Sequence, residues 1–182
     1  MTITHDMVEL ARQWRHDLHR HPELAFQEHR TSAFIAKTLA DCGIAVRGDY
    51  AGTGIVGTLS RGTSARSIAI RADIDALPID EQSGVAWGSL TSGVMHACGH
   101  DGHIAMALAA ARLAAERTDL DGTVHFIFQP AEEIYGGARK MMDDGLFRDI
   151  ASDDIYALHN WPALEPQKVI ARDGAMMAAF AT

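Results

Sequence analysis

The segment from residue 67 to residue 130 alternates between two kinds of hydrophobic pattern. "SIAIRADID" and "GTVHFIFQP" are short and rich in β-branched or aromatic residues, which predicts two strands, the second of them ended by Pro130. Between them, "HIAMALAAARLAAERT" is rich in alanine and apolar on more than one face, which predicts a well-buried helix. This order of strand, helix and strand favours an α/β domain with a largely parallel sheet.

The rest of the chain extends this pattern. "HDMVELARQWRHDLHRH" has helical spacing with Asp6 as the expected N-cap, and "PELAFQEHRTSAFIAKTLADCG" predicts a second helix that Gly43 ends. "GTGIVGTLS" and "DDIYALHNW" predict strands, and "GGARKMMDDGLF" predicts another helix. We therefore expect a mixed, largely parallel sheet flanked by helices, and we expect residues 1–182 to belong to a single domain.

Composition excludes several classes of function. The 182 residues carry 16 Lys+Arg and 24 Asp+Glu, and a formal charge of -8 repels phosphate backbones, so nucleic-acid binding is not expected. No apolar run is long enough to span a bilayer, and residues 1–23 carry charges throughout instead of a signal-peptide core. We therefore expect a cytoplasmic protein in which Cys42 and Cys98 are free thiols or metal ligands.

Side chains that bind metals collect around the predicted strand ends. Ligand sites in open α/β sheets form at such ends. The residues concerned are Asp73 and Asp75 after "SIAIRA", Glu132 and Glu133 after "TVHFIFQ", His159 at the end of "DIYAL", and Cys98, His100, Asp101 and His103 just before the buried helix.

Taken one at a time, these residues have ordinary explanations. A histidine at a strand end is more often a surface or core residue, an acidic pair usually caps a helix or faces water, and "DID" fits a turn. "CGH" is more specific, because a cysteine and a histidine two positions apart can reach one metal from a turn, with Gly99 relaxing the backbone. Together they favour a site for Zn²⁺, Mn²⁺, Co²⁺ or Ni²⁺ over one for Ca²⁺ or Mg²⁺.

The adjacent pair Glu132 and Glu133 also fits the needs of hydrolysis. Two metal ions a short distance apart can hold a bridging water and lower its pKa. A carboxylate that is not itself a ligand must then take the proton and pass it to the leaving group. The pair offers one residue for each role.

Five motifs, in this order, resemble the M20 metallopeptidase family. They are "LHRHPELAFQEHRT", "RADIDALP", "MHACGHDGH", "QPAEE" and "ALHNWP", and together they extend over essentially the whole chain. The resemblance is closest to the amidohydrolase branch, which contains hippurate hydrolase, N-acyl-amino-acid amidohydrolases and indole-acetyl-amino-acid hydrolases.

The resemblance implies a role for each motif residue. Cys98, His100, Glu133 and His159 match metal ligands, Glu132 matches the general base, Asp75 matches the acid that supports the site and tunes the base, and Asp101 and His103 match structural or supporting positions. It also implies two divalent ions, Mn²⁺, Zn²⁺ or Ni²⁺, and a small-molecule substrate in which an acyl group such as benzoyl, acetyl or indole-acetyl is joined to an amino acid by an amide.

Family members are expected to continue beyond the stretch "GAMMAAFAT" with a lid, or dimerisation, domain and a C-terminal catalytic segment that supplies a last histidine ligand. This chain ends at Thr182, so we expect weak or no activity from it alone, and possible self-association through exposed apolar surface. Asn160 stands where many relatives carry an apolar residue, which we interpret as tolerated variation. Two alternatives stay open: a non-catalytic metal-binding or interaction module of the same family, and a plain α/β domain with structural Cys and His.

Overall fold

The structure is a computed structural model, and it describes residues 4–134, 136–162, 164–165 and 168–174. The helices in these ranges are α1 (His5–Arg20), α2 (His29–Asp41), α3 (His100–Glu116), α4 (Gly137–Asp143) and α5 (Leu146–Asp149). The strands are β1 (Ala45–Tyr50), β2 (Gly54–Arg61), β3 (Ser67–Asp73), β4 (Gly122–Gln129) and β5 (Asp154–Ala157).

The strands of the described ranges form one sheet in the order β1-β2-β4-β3-β5. Strand β3 lies parallel to both β4 and β5, whereas β2 lies antiparallel to both β1 and β4. The predicted mixed α/β sheet flanked by helices is confirmed. Parallel and antiparallel pairings are equally represented in this part of the chain, because β1 and β2 add an antiparallel hairpin that the sequence pattern revealed only in part.

Hydrophobic side chains pack on both faces of the sheet. Phe126 and Phe128 of β4 belong to the larger core, which also contains Leu18 of α1, Leu39 of α2 and Leu108 of α3. Between the two phenylalanines, Ile127 faces the opposite side and joins a smaller core with Met141 and Leu146. This alternation is the period of two that a strand imposes on its side chains. It explains why "VHFIFQ" is almost continuously apolar: both faces of β4 are covered.

The start of α1 differs from the prediction, and that of α2 is fixed by the chain before it. Thr4, not Asp6, caps α1, and its side chain accepts a hydrogen bond from the Met7 amide at 3.3 Å. Helix α2 begins at His29, and before it Leu24 forms an isolated β-bridge with Ala76. A bridge of that kind requires extended backbone, which a helix excludes.

Two further boundaries also differ from the prediction. Helix α3 begins at His100, so three of the motif residues predicted to precede this helix lie in its first turn, after Gly99 in the left-handed conformation at φ 85°. The segment "GGARKMMDDGLF" forms α4 and then α5, separated by Gly145 at φ 102°. Among the described residues, no helix has both the length and the apolar character needed to cross a membrane.

Candidate metal centre

The topology brings the predicted site residues to one edge of the sheet. Strands β3, β4 and β5 are parallel, so the residues that follow them emerge at the same edge. The first turn of α3 lies at this edge as well, because the His100 ring donates from Nδ1 to the Asp75 carbonyl oxygen at 2.9 Å. The residues gathered there are Asp75, Cys98, His100, Glu132, Glu133 and His159.

His100 lies at the middle of this group. It is fully buried, and its Nε2 atom lies 3.6 Å from Asp73 Oδ2, 3.8 Å from Glu133 Oε1 and 3.9 Å from Glu132 Oε2. Burial lowers the pKa of His100, but the Asp75 carboxylate, 3.3 Å from Nδ1, and the charge of Asp73 outweigh it and raise the pKa above its ordinary value. The surrounding carboxylates therefore favour a positive charge at this position, carried by a proton or by a metal ion.

Unpartnered atoms indicate what the site is built to hold. His100 Nε2 and Glu133 Oε1 are buried without a hydrogen-bond partner, a condition that is costly and rare in folded proteins. They lie 3.8 Å apart, which is too far for a hydrogen bond. Two ligands of one tetrahedral Zn²⁺ stand roughly 3.4 Å apart. The two atoms therefore fit a shared metal ion.

Cys98 and His159 face each other beside His100. The Cys98 sulfur lies 3.4 Å from His159 Nε2, and His159 Nδ1 donates to the Asn160 carbonyl oxygen at 2.7 Å. Burial, reinforced by the negative charge of Glu133, raises the pKa of Cys98 to about 12. A nearby cation reverses this preference, because a metal binds the thiolate form. Neither Cys98 nor Cys42 forms a disulfide in the described part of the chain, which agrees with the predicted free thiols or ligands.

Among the described residues, three overlapping donor groups include His100, and each could hold an ion. They are Cys98–His100–His159, His100–Glu132–Glu133 and Asp73–His100–His103. Because His100 Nε2 can bind one ion only, it can complete one of these groups at a time. The third group is already engaged: His103 Nδ1 donates to Asp73 Oδ1 at 2.6 Å, and Arg71 Nη1 donates to Asp73 Oδ2 at 2.7 Å. In the first two groups, Cys98 Sγ and His159 Nε2 contact each other, and His100 Nε2 and Glu133 Oε1 have no hydrogen-bond partner.

The two adjacent glutamates differ in their surroundings. The Glu133 amide donates to Asp75 Oδ2 at 2.9 Å, which fixes this residue against the buried Asp75. The Glu132 side chain is 41% exposed and lies at the open side of the group. Burial of its carboxyl, followed by the negative charges of Asp73 and Glu133, raises the pKa of Glu132. A carboxylate with a raised pKa that solvent can reach is suited to accept a proton.

Asp101, predicted to have a supporting role, anchors α3 to α1. Its Oδ2 atom accepts from Arg15 Nε at 3.1 Å and from His19 Nδ1 at 2.9 Å, and His19 Nε2 donates to Glu81 at 3.0 Å. The hydrogen bond to Asp101, more than that to Glu81, raises the pKa of His19 despite the burial of its ring. Sequence reasoning missed His19 and Glu81, although His19 lies inside the motif "LHRHPELAFQEHRT".

Glu28 was also missed, and it supports the loop that carries Glu132 and Glu133. This fully buried carboxyl accepts from the Ala131 amide at 3.0 Å and from the Thr53 hydroxyl at 2.7 Å. Ala131 has a positive φ of 51°, which is uncommon for a residue other than glycine. In the sequence, Glu28 is one charged residue among several in "FQEHR", and this pattern does not indicate its burial.

The structure therefore defines an α/β domain with a candidate metal site of carboxylate, imidazole and thiol donors at its strand ends. The profile of peptidase family M20/M25/M40 matches residues 69–174, more than half of the chain. The chain therefore belongs to this family, as its motifs predicted.

Individual relatives narrow the comparison. The chain is 42% identical to hippurate hydrolase of Campylobacter jejuni over 98% of its own length and 47% of that protein. It is also 42% identical to an N-acyl-L-amino acid amidohydrolase of Geobacillus stearothermophilus, over 91% of this chain and 45% of that protein. The crystal structure of Bacillus subtilis YXEP, described as a dinuclear metal binding peptidase from the M20 family, matches 88% of this chain and 45% of that chain with a TM-score of 0.83 at 42% identity. The chain thus spans less than half the length of these relatives.

Proposed function

We propose that this chain forms the N-terminal, metal-binding portion of the catalytic domain of an amidohydrolase that cleaves the amide bond of N-acyl amino acids. The observation that carries the proposal is the pair of buried, unpartnered atoms His100 Nε2 and Glu133 Oε1, with Cys98 and His159 beside them. The names of the Campylobacter and Geobacillus relatives support the substrate class, an acyl group on an amino acid.

Four residues would hold divalent ions: Cys98, His100, Glu133 and His159. The mixture of thiolate, imidazole and carboxylate favours Zn²⁺, Mn²⁺ or Ni²⁺, and the dinuclear relative supports a pair of ions. When bound, such ions would lower the pKa of a water and polarise the amide carbonyl. A cytoplasmic location is part of the proposal, since a reducing compartment keeps the Cys98 thiol available as a ligand.

Glu132 would be the general base. Its raised pKa and its partial exposure support the transfer of a proton from water to the leaving amide nitrogen. Asp75 would act on its neighbours: its backbone oxygen accepts from His100, and its carboxylate accepts from the Glu133 amide. It thereby orients two ligands through hydrogen bonds, as the partners of metal ligands commonly do.

Metal content per chain is the first measurement that tests the proposal. The chain would be stripped with a chelator, dialysed against Zn²⁺ or Mn²⁺, and analysed for bound metal. We expect His100→Ala to lose metal and Glu132→Gln to keep it. His125→Gln is the matched control, because His125 is also buried but bonds to Thr58 and to the Ala151 carbonyl instead of the site. Equal metal content in wild type and His100→Ala would contradict the site.

Turnover is the second test. In any form of the protein that hydrolyses N-benzoyl or N-acetyl amino acids, Glu132→Gln should abolish hydrolysis without loss of metal. Activity retained by Glu132→Gln would refute its role as the base.

A metal-binding module without turnover is a second candidate, and the openness of the site favours it. His159 is exposed, and the neighbouring side chains of Leu158 and Trp161 are each 61% exposed, so one side of the site is uncovered. The same apolar residues would support self-association. Stoichiometric metal together with no hydrolysis would favour this second candidate.

A further inference from the structure

Asp73 is a buried carboxylate that is fully engaged by neighbouring cations and donors. It ends β3 and is 1% exposed. One oxygen accepts from His103 Nδ1 at 2.6 Å, and the other accepts from Arg71 Nη1 at 2.7 Å. Arg71 is held in turn by Gln129 of β4, whose Oε1 accepts from Arg71 Nε at 2.9 Å and from Nη2 at 2.6 Å. The position of Asp73 is therefore fixed by two strands.

The contact with Asp73 determines the hydrogen-bonding state of His103. A carboxylate can only accept, so His103 carries its proton on Nδ1 and leaves the Nε2 lone pair free. That lone pair accepts a hydrogen bond from the Asn160 amide at 3.1 Å. The His103 ring also packs edge-on against His159, with 4.7 Å between the ring centroids. His103 thus links the end of β3 to the backbone directly after His159.

The same segment is also held by the contact of Cys98 Sγ with His159 Nε2 at 3.4 Å and by the pairing of β5 with β3. Strand β5 is four residues long and pairs with β3, but its side chains are exposed, as are His159 and Asn160. The His103–Asn160 bond comes instead from the first turn of α3, which also carries His100. This hydrogen bond therefore ties the backbone next to His159 to the turn that carries His100, through a side chain that Asp73 orients.

We propose that Asp73 and His103 form a positioning couple, in which the carboxylate fixes the histidine tautomer and the histidine holds the Asn160 amide so that His159 faces Cys98 and His100. The inference rests on the proposed function, since it treats His159 as a metal ligand. Neither member of the couple binds metal in this scheme, because each of their polar atoms already has a partner.

Two conservative substitutions separate the bonds made by His103. The amide of His103→Gln reaches the position of Nε2, where its oxygen can accept from Asn160, but it loses the donor to Asp73. The amide of His103→Asn stays near the position of Nδ1, where it can donate to Asp73, but it is too short to reach Asn160. The control is His125→Gln, a buried histidine that bonds away from the site.

The first readout is the affinity for Co²⁺, followed by its visible absorption, which reports thiolate and imidazole ligation. Loss of a group that orients a metal ligand typically weakens affinity by about 10- to 100-fold. We expect a loss of about that size for His103→Asn, whereas His103→Gln and His125→Gln should stay within a few-fold of wild type. The double variant Asp73→Asn/His103→Asn should bind Co²⁺ with an affinity within a few-fold of that of Asp73→Asn alone. This is expected because the two residues act as one unit.

The second readout needs no metal. Hydrogen exchange of the Asn160 amide, measured by NMR on the metal-free chain, should be faster in His103→Asn than in wild type and slower in His103→Gln than in His103→Asn. Unchanged exchange in His103→Asn, or Co²⁺ affinity equal to that of wild type, would overturn the couple. An equal loss of Co²⁺ affinity in His125→Gln would also overturn it, because the effect would then be one of general stability.

The two readouts separate this inference from the proposed function. If wild type binds no Co²⁺, the metal site fails, while the Asn160 exchange still decides whether His103 holds the backbone. If wild type binds Co²⁺ and the His103 variants match it in both readouts, the metal site stands and the couple fails.

Discussion

Glu28 offers a test of how a buried carboxyl supports the loop that carries Glu132 and Glu133. In Glu28→Ala, the Ala131 amide and the Thr53 hydroxyl lose their shared acceptor while both residues stay buried. A buried donor left without a partner costs about 1–3 kcal/mol. The Thr53 hydroxyl can rotate, and relief of the buried charge offsets part of the loss. We expect Glu28→Ala to lower the free energy of unfolding by about 2–4 kcal/mol.

Glu28→Gln separates the shape of this side chain from its charge. The amide keeps the volume of Glu28, and its oxygen can still accept from the Ala131 amide. We expect the free energy of unfolding to stay within about 1 kcal/mol of that of wild type near pH 5, because the hydrogen bond from the Ala131 amide is retained and no cavity forms.

The pH dependence of stability should differ between wild type and Glu28→Gln. Burial raises the pKa of Glu28 above its ordinary value, so the folded chain holds the proton more tightly than the unfolded chain does. The stability linked to this group is fully present below the unfolded pKa of about 4.3 and is lost as the pH rises through the folded pKa. Glutamine does not titrate. The free energy of unfolding of Glu28→Gln relative to that of wild type should therefore increase from about pH 4 to about pH 8, a range that covers the ionisation of a glutamate with a raised pKa.

Urea unfolding followed by tryptophan fluorescence is the assay, since Trp14 packs against the larger core. Measurements on metal-free chains in the presence of chelator remove any contribution from bound ions. An unfolding midpoint of Glu28→Ala equal to that of wild type would refute the assigned contacts. A difference between Glu28→Gln and wild type that does not change with pH would refute the raised pKa.

Two glycine substitutions give further predictions. Gly137→Ala places a Cβ against the Pro130 carbonyl oxygen, so the loop before Glu132 must shift. We expect both the urea midpoint and the Zn²⁺ content after dialysis to fall. A variant that retains both would contradict this packing. Gly102→Ala is its counterpart in α3, where the nearest neighbour of the added Cβ is Arg15 Nε at 3.8 Å. We expect this substitution to raise the free energy of unfolding by about 0.5 kcal/mol through helix propensity. A clear loss of stability would argue against the helical start at His100.

The parts of the fold that the sequence predicts are those with a strong period. Strands β3 and β4 and helix α3 have buried apolar faces, and their patterns predict the element type correctly. Strand β1 has mostly exposed side chains, so its sequence "AVRGDY" carries no apolar alternation and was missed. Helix α3 begins one turn earlier than its apolar pattern does, because its first turn buries polar residues, among them His100 and His103.

The sequence predicts which side chains lie together at the strand ends, but not their long-range partners. Cys98, His100 and the glutamate pair stand in short motifs at strand ends, and the topology brings them together. The contact between Glu28 and Ala131 joins residues 103 positions apart, and that between His19 and Asp101 joins residues 82 positions apart. Nothing local in either segment specifies such a partner. Those contacts depend on how the helices pack on the sheet, which local periodicity does not determine.

Strand β5 has a consequence for the kinetics of metal exchange. It pairs over four residues and buries none of its side chains, and His159 follows it directly. Weakly buried segments open far more often than the whole fold, because they need not reach the global free energy of unfolding. An ion held by His159 would therefore lose this one ligand each time the strand frays, while Cys98, His100 and Glu133 stay in place. The residence time of the ion would therefore depend on the opening rate of β5, and it would change little when the hydrophobic core is made more stable.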